Sequence, residues 1–96
     1  MPTPIVRWAQ NGPFIEITID LSDVTEPDID LTEEYLYFRG IGNGAHGEDR
    51  YEVHLEFFNR VDYQGSVYAV NERSVDFKIP KQIKVTHLKL YQLFLW

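Results

Sequence analysis

The sequence predicts an all-β fold, a compact antiparallel β-sandwich of about seven strands. Short runs alternate between apolar and polar residues, and clusters of turn-forming residues separate one run from the next. No run shows the period of about 3.6 residues that a long amphipathic helix would need. The 96 residues suffice for one small hydrophobic core and not for two, so a single domain over residues 1–96 is expected.

The strands follow in order. "IVRWA" opens the chain as a short strand. "FIEITIDL" places Ile15, Ile17, Ile19 and Leu21 on one side and Phe14, Glu16, Thr18 and Asp20 on the other. "YLYFRG" sets Leu36 and Phe38 against Tyr35, Tyr37 and Arg39, and "YEVHLEF" sets Tyr51, Val53, Leu55 and Phe57 against Glu52, His54 and Glu56. "SVYAV" is a further short strand, and "SVDFKI" alternates Val75, Phe77 and Ile79 with Asp76 and Lys78. The stretches "NGP", "SDVTEPD", "GIGNGAHGED", "DYQG" and "NER" are expected as turns or loops. "KVTHLKLYQLFLW" reads as a closing strand.

Composition narrows the function. At 44% hydrophobic and 15% aromatic the chain is globular. It has no cysteine, which removes thiolate chemistry and disulfides, and no Asn-x-Ser/Thr acceptor; both favour a reducing, cytoplasmic setting. No stretch approaches the ~20 apolar residues that span a bilayer, and the first residues carry no signal-peptide core. A net charge of −6 disfavours nucleic acid as a partner, because phosphate neutralisation needs a basic face. The charge is also divided. The chain through Asp76 holds all fifteen acids and five arginines, whereas from Lys78 onward there are four lysines and no acid. Lys78, Lys81, Lys84 and Lys89 therefore form a basic end suited to an acidic partner surface.

Two patterns invite a catalytic or ligand-binding reading. Glu52, His54 and Glu56 share one strand face about 6.6 Å apart, close enough for two of them to reach one ion. A metal needs three or four ligands, and the expected neighbouring strand supplies Tyr35, Tyr37 and the cation Arg39, which suits Glu52 or Glu56 as an ion-pair partner. The row is read as a solvated, charge-paired face. "GIGNGAHG" lacks the Gly-Lys-Ser/Thr ending and following helix of a phosphate loop, and Glu48 and Asp49 would repel an anion; it is read as a loose hairpin loop. No serine lies in a strand-to-helix elbow, and no carboxylate is evidently desolvated. A non-catalytic protein with no metal and no cofactor is expected.

"RWAQ", "ITIDLSDV", "YLYFRGIG" and "YEVHLEFFNRVD", in this order and with "SVDFKI" after them, resemble the CS domain family. The resemblance covers residues 4–80, leaving 81–96 as a divergent end. The family includes co-chaperones of heat-shock protein 90, one of them also called cytosolic prostaglandin E synthase. It also includes the amino-terminal domain of membrane-bound very-long-chain 3-hydroxyacyl-CoA dehydratases.

The resemblance implies the sandwich of HSP20-like chaperones. It also implies a module that binds the ATP-bound state of heat-shock protein 90, slows its turnover and assists the folding of client proteins. Trp8 carries over to the family's contact surface by position, as does Arg7. The Trp-Pro-Arg-Leu-Thr-like loop that follows "SVDFKI" in co-chaperones is absent here, replaced by "PKQIKVTHLKLYQLFLW", and so is their acidic tail. The alternative is the soluble CS domain of such a dehydratase, on the cytosolic face of the endoplasmic reticulum. A prostaglandin synthase would need a glutathione site, for which the sequence offers no residues.

Overall fold

The computed structural model describes residues 1–82. The chain runs through β1 (Ile5–Asn11), β2 (Phe14–Asp20), β3 (Ser22–Leu31), β4 (Tyr35–Gly44), β5 (Gly47–Glu56), a single 3-10 turn (Tyr63–Gly65), β6 (Val67–Val70) and β7 (Val75–Pro80). These seven strands form two antiparallel sheets. One has the order β1-β2-β7-β6 and the other β3-β4-β5, giving the β-sandwich expected from the alternation. Among the described residues no helix is long and apolar enough to cross a membrane.

The alternating residues become the core. Ile15, Ile17 and Ile19 of β2 lie in register with Ile79, Phe77 and Val75 of β7, and all six are buried. Across from them lie Leu36 and Phe38 of β4 with Tyr51 and Val53 of β5, joined by Leu21 and Val61 from the connections. Each such side chain contributes roughly 1.5–3 kcal/mol by leaving water, offset by the ordering of the chain.

The turns are short and chemically specified. Gly12, at φ 61°, makes the two-residue Gly12–Pro13 connection between β1 and β2, a conformation glycine adopts without a Cβ clash. Asp62 accepts a hydrogen bond from the Gly65 N–H, and the Asn71 N–H donates to the Ser74 carbonyl at 2.8 Å.

Two segments differ from the sequence expectation. "SDVTEPD", expected as a turn, lies in β3, an edge strand paired with β4. Its ladder shifts register twice between Ser22 and Asp28, and Asp23 and Glu26 take positive φ values of 52° and 51°. The bulges erase the period-two pattern, while Pro27 and the acids protect an exposed edge from pairing with other chains. "GIGNGAHGED", expected as a loop, is almost entirely strand. Pairing continues through Gly42↔Asp49, Asn43↔Glu48 and Gly44↔Gly47, leaving Ala45–His46 as the turn. The expected closing strand in "KVTHLKLYQLFLW" lies outside the described residues.

Candidate functional site

β1 is an edge strand of the four-stranded sheet and β5 an edge of the three-stranded one. In β1, Trp8 stands opposite the buried Ile17 and Val6 opposite the buried Ile19. Both therefore face inward, like their partners. The opposite sheet does not fully cover them, and Trp8 is 56% exposed. The result is an apolar groove of about 230 Å³ lined by Val6, Trp8, Ile15, Ile17, Leu55, Phe57 and Phe58, with Glu56 as its single charged wall. Phe58 is 71% exposed. Large aromatics half out of water beside a groove are the side chains that anchor protein partners, since their remaining area is buried on contact at little entropic cost.

Sequence reasoning singled out Trp8 but not its companions. The available clue was the pair Phe57–Phe58. In an extended chain two successive side chains point to opposite sides, so both cannot face the core.

The other candidate residues distribute over two surfaces. Arg7, next to Trp8, points to the outer face of β1, where its guanidinium pairs with Asp20 at 2.6 Å. Lys78 also lies on the outer face, its ammonium 4.5 Å from the centre of the Phe14 ring, a cation–π contact. Lys81 instead meets the start of the β1–β2 connection. Its ammonium donates to the Gln10 side-chain oxygen at 2.7 Å and its backbone N–H to the Pro13 carbonyl at 2.8 Å. Gln10 is two residues beyond Trp8 on the same side of β1, so Lys81 reaches the side of the strand that carries Trp8 without lining the groove, with Arg7 and Lys78 around the edge of the sheet. Partial burial lowers the Lys81 pKa below its ordinary value. Lys84 and Lys89 lie outside the described residues.

The carboxylate and histidine row has its own chemistry. The Tyr37 hydroxyl donates to Glu52, and the Tyr35 ring stacks on His54 with centroids 4.9 Å apart. Tyr35 also donates to Asp30 at 3.0 Å. Arg39 stands opposite Glu52 in the ladder, but its ion pair is made to Asp28 on β3 at 3.1 Å. The strand that sequence reasoning missed thus supplies the partner, which corrects the expected Arg39 pairing with Glu52 or Glu56. Hydrogen bonding to a carboxylate raises the phenol pKa of Tyr37, through Glu52, and of Tyr35, through Asp30, above the ordinary 10.0. Among the described residues no group of three or more histidines and carboxylates is gathered around one point.

The glycine-rich segment is likewise accounted for by packing. A Cβ on Gly42 would fall 2.8 Å from both Leu21 Cγ and the Ser22 carbonyl, and one on Gly44 would fall 2.8 Å from Tyr51 Cζ. These glycines let the hairpin lie flat on the core.

Comparison with known proteins agrees with the geometry. The sequence profile of the CS domain matches residues 4–81. The chain is 40% identical over 81 residues to human very-long-chain (3R)-3-hydroxyacyl-CoA dehydratase 3, a match covering 84% of this chain and 22% of that protein. The corresponding dehydratase of Danio rerio is 37% identical over 83 residues, 86% of this chain and 23% of that protein. Co-chaperone protein p23-1 of Brassica napus is 33% identical over 78 residues, 81% of this chain and 43% of that protein. The chain thus spans about a fifth of the dehydratases it matches and under half of the co-chaperone.

Proposed function

The chain belongs to the CS domain family, and on that premise we propose that it is a non-catalytic, co-chaperone-like module that binds the ATP-bound state of heat-shock protein 90 and assists client folding. The observation that carries this reading is the half-exposed Trp8 at the mouth of an apolar groove. Aromatic anchoring in that groove supplies the affinity. Lys81, held by Gln10 on the strand that carries Trp8, with Arg7 and Lys78 around the sheet edge, favours an acidic partner surface and a faster encounter. The similarity to a co-chaperone over most of this chain supports the same class of partner.

Calorimetry tests the reading with heat-shock protein 90 held by a non-hydrolysable ATP analogue or by ADP. Binding restricted to the ATP-like state, weakened by salt and by Lys81→Glu plus Lys84→Glu, is expected. Equal binding in both states counts against nucleotide recognition. Binding indifferent to the lysine substitutions counts against the charge component.

A second reading has its own support. The dehydratase relatives match with higher identity, and only over this domain. A longer transcript carrying apolar membrane spans would make this the cytosolic interaction domain of a dehydratase. A transcript ending after Trp96 would favour the free module.

A further inference from the structure

The sequence contains two Asn-Gly pairs, Asn11-Gly12 and Asn43-Gly44, and the fold treats them differently. Asn-Gly is the dipeptide in which a backbone nitrogen most readily reaches the preceding side-chain amide, because glycine carries no Cβ to obstruct the approach. Asn43 and Gly44 are both held in the β4–β5 ladder, paired with Glu48 and Gly47, and Gly44 lies tight against the Tyr51 ring. Asn11 is the last residue of β1, and Gly12 lies outside the ladder in the turn, at φ 61° with open space where a Cβ would stand. Both Asn11 and Gly12 are exposed.

We propose that Asn11 is a deamidation site whose conversion to aspartate or isoaspartate loosens β1, the strand that presents Trp8. In the first step the Gly12 backbone nitrogen, having given its proton to solvent base, attacks Asn11 Cγ. The bond from Cγ to the side-chain nitrogen breaks, and that nitrogen leaves as ammonia. Water then opens the resulting succinimide at either carbonyl. One opening gives aspartate; the other gives isoaspartate, which routes the main chain through the side-chain carbon.

The structural consequences follow from Asn11's surroundings. Its amide donates to the Glu16 carboxylate at 2.8 Å. Either product replaces that donor with a carboxylate facing another carboxylate, turning an attraction into a repulsion. Isoaspartate also adds a carbon to the backbone at the residue paired with Phe14, which disturbs the β1–β2 register from the turn inward. Gln10, the partner of Lys81, is the adjacent residue.

The test is ageing of the intact chain at mildly alkaline pH and physiological temperature. Peptide mapping follows the exchange of NH2 for OH at each asparagine, in the folded protein and in urea. Reaction at Asn11 roughly tenfold or more faster than at Asn43 is expected in the folded protein, because Gly44, whose nitrogen must attack there, is held in the ladder whereas Gly12 is not. In urea the two pairs should react at equal rates. Equal rates in the folded protein, or a faster Asn43, would overturn the site assignment. Amide spectra of the aged protein should shift along residues 5–20 and remain unchanged in an Asn11→Gln control aged in parallel. Unshifted residues 5–20 in a fully converted sample would overturn the proposed effect on β1.

Discussion

The buried Tyr51 hydroxyl donates to the Gly47 carbonyl at 2.8 Å, and the same oxygen accepts the His46 N–H at 3.0 Å. One core side chain therefore ties down the tip of its own hairpin from beneath. Tyr51→Phe keeps the ring and leaves both backbone groups without that partner. A loss of about 1–3 kcal/mol is expected, measured by denaturant unfolding, with faster amide exchange at residues 44–48 and unchanged exchange in β2 and β7. An unchanged midpoint would show that water replaces the hydroxyl fully.

Gly42→Ala and Gly44→Ala address the packing role of the glycine-rich segment. Each new Cβ would meet core atoms at 2.8 Å, and overpacking of this kind costs about 1–3 kcal/mol. Thermal unfolding of both variants checks it. If neither loses stability, the hairpin has room to move away from the core.

Alkaline titration tests the tyrosine–carboxylate pairs. Tyr35 and Tyr37 have raised pKa values, so the folded chain holds their protons more tightly than the unfolded chain does. Their contribution to stability is complete below pH 10.0 and is lost as pH climbs through the folded values. Absorbance titration should show ionisation of these two phenols above that of a free tyrosine. In Glu52→Gln the Tyr37 step should move back down.

Trp8 separates stability from binding. Its exposure means Trp8→Ala should alter folding stability by less than about 1 kcal/mol. If the groove is a contact with a partner, the same change should cost at least about 2 kcal/mol of binding, roughly thirtyfold in affinity. Unfolding and calorimetry on the same variant distinguish the two.

The parts of the fold legible in the sequence are those where one face is buried and the other wet. Ile15, Ile17 and Ile19, or Val75, Phe77 and Ile79, announce both strand and core because every second residue leaves water. β3 was not legible because its bulges at Asp23 and Glu26 break the period and its residues are mostly polar. The glycines of β4 read as a loop for a related reason. Propensity favours turns at Gly42 and Gly44, whereas the tertiary contact with Leu21 and Tyr51 requires glycine within a strand. At the site, Trp8 was visible as a residue but the groove was not. Its walls come from β1, β2 and the end of β5, and only the sandwich brings them together.

The most direct test of the central claim is an isotope-labelled amide titration with heat-shock protein 90, once with a non-hydrolysable ATP analogue and once with ADP. A co-chaperone-like module predicts shifts only with the ATP analogue, centred on Trp8, residues 55–58 and Lys81. A folded sample that shows no shifts in either state, or shifts confined to the outer face of β3-β4-β5, would contradict it.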